Sequence, residues 1–510
     1  MKRADGLSRS RRIRASGVVL TFAAAFFWPL NLLAINLYDI ARPERVVAFG
    51  LVMWGIGLAV VFVLGAVGMR VDAAENTTFV SLALVMSGGL LLRRFDAWLA
   101  YLILIACPIV VGWAFVRLKE HVISSAVVWA AAVALISGPI ITFIAGPGVD
   151  GQPSVMSHDQ HPSLELDHTP DIFLVVFDGY PGSIAAGQDD LGTGEIDIVR
   201  ELRNRGFEVP ESTWAAYWAT SLSIPSLMEM SYPVESIGWK SDETIKDLHS
   251  VIAGDSAAVH GLKANGYATH MIESGWSAGS CGEQYDHCVT SFLIDEAIDL
   301  LLRRTIAWPL VDSSPGPYVL GTLAAFDWLL ANAPELSRSE APDFVFSHVI
   351  SPHAPYLLKP DCSAEFVNER AGTVFQVEGV PADSRTSYLI EQIDCLDRLM
   401  IELAESVDSE DVVIFVSDHG TDRRDQSNPD LIDWDRETTV ERLNNFLAVK
   451  LPDGCSVGDE VIMPNVLRLV LGCFSSSTIE ELPERMWVNP MVELEPRLVQ
   501  ELLDMRASSN

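Results

Sequence analysis

Apolar residues crowd the first 150 positions of the chain and thin out afterwards. Apolar stretches lie at about 17–38, 46–69, 77–92, 97–116 and 123–146, near the ~20 residues that an α-helix needs to cross a bilayer. The third is short and ends at Arg93-Arg94. About five membrane helices are expected, preceded by a basic tail. The first run is long and is followed by further spans rather than by a small-residue cleavage site, so it reads as an anchor and not as a cleaved leader. Lys2, Arg3, Arg9, Arg11, Arg12 and Arg14 precede the first span, and Arg117 and Lys119 separate the fourth from the fifth. The positive-inside rule puts both groups in the cytoplasm, and five crossings deliver everything after Pro147 to the outside. Arg93-Arg94 then lies on the outer side, against the rule.

From Pro147 to about Pro170 the pattern is polar, rich in Gly, Pro, Ser, His and Asp, and reads as a linker. His158, His161 and His168 belong to it and are expected to be solvated. Beyond it, β-type apolar runs alternate with helical ones, the signature of a mostly parallel sheet between helices. Strands are predicted at 172–177, 267–272, 343–349, 412–416 and 445–450, and helices at 193–205, 218–230, 256–265, 384–406 and 497–507. The expected organisation is a cytoplasmic tail over 1–16, a multi-span α-helical membrane domain over 17–146, a linker over 147–170 and one α/β domain over 171–510. No internal repeat is apparent.

Charge and cysteine follow the same boundary. The chain carries a net charge of -33; residues 1–150 hold 13 Lys+Arg against 8 Asp+Glu, and the remainder 22 against 60. So acidic an exterior argues against binding nucleic acid through its phosphates. Cys107 lies in the fourth span, and the other six cysteines follow residue 150 as Cys281 with Cys288, Cys362 with Cys395, and Cys455 with Cys473. Three disulfides in an oxidising compartment are expected, which agrees with the topology.

Two apolar runs end on acids. FLVVF (173–177) meets Asp178-Gly179-Tyr180, and VVIFVS (412–417) meets Asp418-His419-Gly420. The carboxyl ends of strands in an open α/β sheet face the ligand crevice, so Asp178, Asp418 and His419 are candidate ligands of one divalent ion, zinc or manganese. The same pattern also describes solvated acids in turns. Between the runs, Tyr217-Trp218-Ala219-Thr220-Ser221-Leu222-Ser223 sets several hydroxyls where a helix begins. A helix N-terminus attracts anions, and a hydroxyl there is placed to attack a bound phosphoryl or sulfuryl group. Composition leaves Thr220, Ser221 and Ser223 open, with helix capping as the plainer use of any of them.

The order Asp178-Gly-Tyr, then Tyr217-x-x-Thr220-x-x-Ser223-x-x-Ser226, then His348-x-x-x-x-His353-Ala-Pro-Tyr356, then Ser417-Asp418-His419-Gly420 resembles the sulfatase-like branch of the alkaline phosphatase superfamily. Membrane-anchored phosphoethanolamine transferases and lipoteichoic acid synthases are similar in overall topology. The likeness covers about 170–450. It implies that Asp178, Thr220, Asp418 and His419 hold a single metal, that Thr220 is the nucleophile, and that His353 holds the substrate phosphate or assists the leaving group. It further implies a multi-pass protein of the cell (inner) membrane whose sulfatase-like catalytic domain faces outside or the periplasm. Such an enzyme transfers a phospho-group on envelope lipid or glycan head groups.

Departures narrow the expectation. No Cys-x-Pro-x-Arg or Ser-x-Pro-x-Arg element surrounds Thr220, which disfavours sulfate ester hydrolysis, and no histidine follows His419, which disfavours a second metal. Where lipoteichoic acid synthases place a histidine, this chain has Glu273-Ser274-Gly-Trp276. Glu273, Ser274, Arg423 and Asn445 are the candidate substrate-binding residues, and Arg424, Arg442, Asp422 and Asn444 are weaker candidates. Two other classes stay open: a phosphodiesterase or sulfuric ester hydrolase on the same scaffold, and a noncatalytic membrane receptor or scaffold. The sequence does not disclose an oligomeric state.

Overall fold

The computed structural model describes Ile40 and residues 14–36, 42–94, 97–117, 122–145, 164–188, 197–234, 242–290, 294–312, 316–339, 341–365, 382–421, 435–476, 478–488 and 492–505. The chain forms two compact units. One joins Met1–Gly148 to Ile294–Gly316; the other joins Val149–Leu293 to Pro317–Asn510.

Among the described residues, the N-terminal part of the first unit contains five helices, α1 (Ala15–Asn36), α2 (Pro43–Ala66), α3 (Val71–Arg94), α4 (Ala97–Arg117) and α5 (Val122–Ala145). Among the described residues, Ala15–Asn36, Pro43–Ala66 and Val71–Leu92 are long and apolar enough to cross a membrane. The other two helices offer the shorter apolar stretches Tyr101–Ala114 and Ala126–Thr142. α3 starts before the apolar run that predicted it, because its polar first turns are buried against α1. The Ser16 hydroxyl donates to Glu75 Oε2 at 2.7 Å and Arg14 N donates to Glu75 Oε1 at 3.3 Å. That carboxylate therefore sits at the positive end of α1, where an anion is favoured.

Residues 294–316, which the sequence pattern assigns to the α/β domain, group instead with these helices. Their helix Glu296–Arg304 is amphipathic and buries Ala297 and Leu301 in a cluster with Leu33, Ile40 and Val46. Sequence alone shows the apolar stripe and not the surface that covers it.

The second unit is built on strands β1 (Ile172–Asp178), β2 (Phe207–Glu208), β3 (Ser212–Trp214), β4 (Ala268–Ile272), β5 (His287–Val289), β6 (Asp343–Pro352), β7 (Val412–Ser417), β8 (Leu447–Lys450) and β9 (Glu460–Ile462). Seven of them make one sheet in the order β2-β8-β7-β1-β6-β4-β5, and β3 pairs with β9 in a separate ladder. β1 runs parallel to both β6 and β7, and β4 runs parallel to β5 and β6. In this sheet β8 pairs antiparallel with both β7 and β2. The predicted α/β fold with a mostly parallel central sheet is what forms.

All seven residues of β1 are buried, as a strand covered on both faces requires. Leu174 and Val176 join one apolar layer with Ile224 and Leu227 of the helix Thr220–Glu229 and with Leu262 of the helix Ala257–Ala264. Phe173, Val175 and Phe177 join the other layer with Phe326 and Leu329 of the helix Gly316–Leu336 and with Leu396 and Leu403 of the helix Ala382–Ser406.

Cys281–Cys288 and Cys362–Cys395 are disulfides. Cys455 and Cys473, expected as a third pair, are free thiols. They lie side by side, with Cys455 Sγ 4.0 Å from the Cys473 carbonyl oxygen, so closeness in space did not bring the sulfurs into bonded geometry.

Glu229 ends the helix that begins at Thr220. Burial raises its carboxyl from 4.5 to about 7, against the backbone N–H of Ala257, which favours the charged form. The folded state thus holds this proton more tightly than the unfolded chain does. The resulting stabilisation is complete below pH 4.5 and is lost as pH rises through 7. Glu229→Gln is expected to flatten thermal stability across that window, measured as melting temperature against pH; an unchanged slope would refute this.

Candidate metal centre

β1 and β7 are neighbours, so the acids that follow their apolar runs meet at the carboxyl end of the sheet. Asp418 Oδ1 accepts the N–H groups of Gly179 at 3.0 Å and of its own neighbour His419 at 2.8 Å. Asp418 Oδ2 is 3.2 Å from His419 Nε2, which lies 3.6 Å from Asp178 Oδ1. Gly179 turns the chain at φ +74°, a conformation in which a side chain is strained. A Cβ at Gly420 would stand 2.0 Å from the Glu441 carbonyl oxygen, so the Asp-His-Gly glycine is required by close backbone approach.

The adjoining strand β6 adds His348, whose Nε2 is 3.9 Å from Asp178 Oδ2. Asp178, His348 and Asp418 each offer a ligand atom, all within 4.8 Å of one another, and all three residues are buried. His348 stands in the motif order without an assigned role; a lone histidine in an apolar strand resembles a packed core residue. The usable signal is its position on the strand beside β1.

Thr220 is the first residue of the helix Thr220–Glu229. Its Oγ1 is 3.4 Å from Asp178 Oδ2 and 3.3 Å from His419 Nε2. Thr220 and Ser223 are thereby separated. Ser223 is fully buried and donates to the Tyr217 carbonyl at 2.9 Å, whereas Thr220 is part-buried at the cluster. The turn ahead of it is held by Tyr217, stacked on Trp487 at 5.0 Å and donating its hydroxyl to the Val234 carbonyl at 2.7 Å.

Electrostatics favour a cation. Burial, and then the Asp178 charge, push the Asp418 carboxyl well above the usual carboxylate range. Burial, and then the Arg442 guanidinium, hold His419 well below the usual imidazole range. Burial and then His353 take His348 down to about 3. Both imidazoles are therefore neutral, the ligating form. His419 Nδ1 donates to the Gly420 carbonyl at 2.8 Å, which leaves the Nε2 lone pair toward the cluster. Both ring nitrogens of His348 are buried without a hydrogen bond. Two carboxylates and the neutral His348 imidazole are a mixed oxygen and nitrogen set that suits a divalent cation, and the residues fit one.

Arg442 borders this centre. Its Nε donates to the Trp218 carbonyl at 2.8 Å and its Nη2 to His419 Nε2 at 3.1 Å. His353 is tied to the end of β1, its N–H donating to the Asp178 carbonyl at 3.0 Å. Its ring Nδ1 meets the Ala354 carbonyl at 2.9 Å.

The substrate-binding candidates fare differently. Glu273 is buried, with Oε1 accepting the Cys281 N–H at 2.8 Å and Oε2 the Thr290 hydroxyl; its carboxylate braces the disulfide loop instead of facing a ligand. Asn445 is likewise buried, its Nδ2 donating to the Ser417 carbonyl at 2.5 Å. Asn444 accepts the N–H groups of Ile184 and Ala185. Ser274 is buried where its backbone packs on Gly321. Arg423, Arg424 and Asp422 lie outside the described residues.

Fold and site define an α/β domain that gathers a buried acid and imidazole cluster at the carboxyl end of a parallel sheet, with a helix-borne threonine beside it. No protein-family model and no curated protein matches the chain. Solved structures similar to it include the zinc complex of the C-terminal periplasmic domain of EptC from Escherichia coli, with 12% identity, 68% of this chain and 97% of that one covered, and a TM-score of 0.40. The periplasmic domain of the phosphoethanolamine transferase EptC from Campylobacter jejuni has 14% identity, coverage of 64% and 95%, and a TM-score of 0.36. A protein in the alkaline phosphatase superfamily from Vibrio parahaemolyticus has 14% identity, coverage of 68% and 79%, and a TM-score of 0.42. They are the kinds of protein that the motif order resembles, but likeness this slight carries no weight for the reaction.

Proposed function

We propose that this chain is a membrane-anchored, metal-dependent phosphotransferase whose catalytic domain faces outside or the periplasm. Its substrates are envelope lipid or glycan head groups, and Thr220 is its nucleophile. The observation that carries this reading is the Thr220 hydroxyl beside Asp178 and His419 at a helix N-terminus. The two disulfides suit an oxidising compartment, and the cationic N-terminal tail suits the cytoplasmic side.

A zinc or manganese ion held by Asp178, His348, Asp418 and His419 would supply positive charge that favours loss of the Thr220 hydroxyl proton and offsets charge on the phosphoryl oxygens. The hydroxyl proton leaves along the contact with Asp178 Oδ2, and Oγ1 bonds to phosphorus as the bond to the leaving oxygen breaks. His353 Nε2 delivers a proton to that oxygen. The helix N-terminus and the Arg442 guanidinium face the charge that builds on the remaining oxygens. In the second half, an acceptor alcohol gives its proton to His353 and takes the phosphoryl group from Thr220, whose oxygen recovers its proton from Asp178.

The test is turnover by the full-length protein, loaded with manganese or zinc, of bis(p-nitrophenyl) phosphate against p-nitrophenyl sulfate, with mass spectrometry of lipids from cells with and without the protein. Phosphodiester cleavage, a phosphorylated Thr220 peptide and a changed head group are expected. Sulfate turnover without phosphodiester turnover, or an unchanged lipid profile, would overturn the proposal.

A further inference from the structure

The segment Ile294–Gly316 is separated in sequence from the membrane-length helices by the whole first part of the α/β domain, yet it packs with them. It enters at the beginning of α2, where Arg45 pairs with Asp295 at 3.0 Å. Asp295 also caps the helix Glu296–Arg304, accepting the Ile298 N–H. At its far end the segment meets the middle of α3. Ile306 N donates to the Val85 carbonyl at 2.9 Å. A Cβ at Gly89 would fall 2.1 Å from the Arg303 carbonyl oxygen, and one at Gly88 would fall 2.2 Å from Ile306 Cγ2. Val85 precedes Leu92, the end of the apolar span, by seven residues, which is about 10 Å at 1.5 Å per residue. The segment therefore descends beside the spans to hydrocarbon depth.

Its polar groups are arranged for that depth. Backbone groups in hydrocarbon must be satisfied within the protein. In the connection after Arg304, Thr305 N donates to Leu302 O, Ile306 N to Val85 O, and Ala307 N to Thr305 Oγ1. Leu310 N and Val311 N both donate to Ala307 O. Pro309 has no N–H to satisfy. The charges are matched as well, Arg303 Nε with Asp299 at 2.5 Å and the Arg304 guanidinium over the Trp28 ring at 4.9 Å. Yet Leu310 is 78% exposed, and Ile306 and Ile294 are above 40%. On α2 and α3, Val47, Leu51 and Leu90 are exposed in the same way.

We infer that residues 294–312 form a re-entrant wedge immersed in the lipid leaflet at the end of the spans opposite the N-terminal tail, with Ile306 and Leu310 among acyl chains. The inference rests on the membrane reading of the spans, and its test separates the two. A diazirine amino acid replaces Leu310, Val52 on α2 or Arg497 in the full-length protein, reconstituted in vesicles of phosphatidylcholine and phosphatidylglycerol and then illuminated. Position 310 is expected to give lipid adducts as position 52 does, and position 497 none. Lipid adducts at 52 but only water or protein adducts at 310 would overturn the wedge and leave the spans intact. Lipid adducts at neither would overturn both.

Discussion

Thr220→Ala is expected to lower phosphodiester turnover by about four orders of magnitude, the scale of removing a nucleophile, while leaving the fold intact. The structural reason is the division of labour along one helix. Thr220 occupies the first position, after an extended Ala219, and no side chain caps that end. Loss of its hydroxyl removes contacts at 3.4 and 3.3 Å and little packing, so the melting temperature should hardly move. Ser223→Ala should do the reverse. That hydroxyl bonds the Tyr217 carbonyl inside the core, so its loss is expected to destabilise the protein by about 1 kcal/mol with turnover retained. Thr220→Ser keeps an oxygen at the cluster and should retain measurable activity. Steady-state kinetics on bis(p-nitrophenyl) phosphate, with melting curves for all three variants, check the pattern. Full activity in Thr220→Ala would transfer the role to Ser221, the remaining hydroxyl of that turn.

The parts of the site that are legible in the sequence are those written in one strand. β1 and β7 are continuous apolar runs because both faces of the sheet are covered, and a run of that kind can only end where the chain leaves the sheet. Asp178 and Asp418 mark those ends, and strand adjacency brings them together. Thr220 needs the motif order as well, since nothing local distinguishes it from Ser223; the distinction is depth of burial, which belongs to the packed helix. His348 is harder still, because its place beside Asp178 and Asp418 depends on which strand lies next to β1, a fact of topology. Glu273 and Asn445 are engaged by backbone groups that their positions in the sequence do not disclose. A polar residue at a strand end faces either the crevice or the neighbouring loop, and here the Cys281 and Ser417 backbones claim them. The segment Ile294–Gly316 shows the same limit at the scale of domains. Its amphipathic helix predicts a buried stripe, but the covering surface is contributed by Leu33 and Val46, more than 240 positions earlier.

Asp418→Asn is expected to abolish metal binding and, in the same protein, to raise the melting temperature of the metal-free form. The two effects have one cause. Asp418 is wholly inaccessible and Asp178 nearly so, and each carboxylate disfavours ionisation of the other. Without a cation the folded state must hold that repulsion or a proton. Asparagine keeps an oxygen for the Gly179 and His419 N–H groups and discards the charge, so relief of repulsion should outweigh any loss in packing. With a cation the balance inverts. The parent gains about 2.7 kcal/mol at a free ion concentration a hundredfold above its dissociation constant, whereas the variant, short of one anionic ligand, gains little. Melting curves with manganese, with zinc and with chelator, alongside equilibrium dialysis, measure both arms. The parent should bind close to one ion and melt higher with it, and the variant should melt at the same temperature in all three conditions. A variant that bound the ion as tightly as the parent would remove Asp418 from the ligand set. A metal-free variant that melted lower than the metal-free parent would show that its carboxylate is held by the fold for structure and not for a cation.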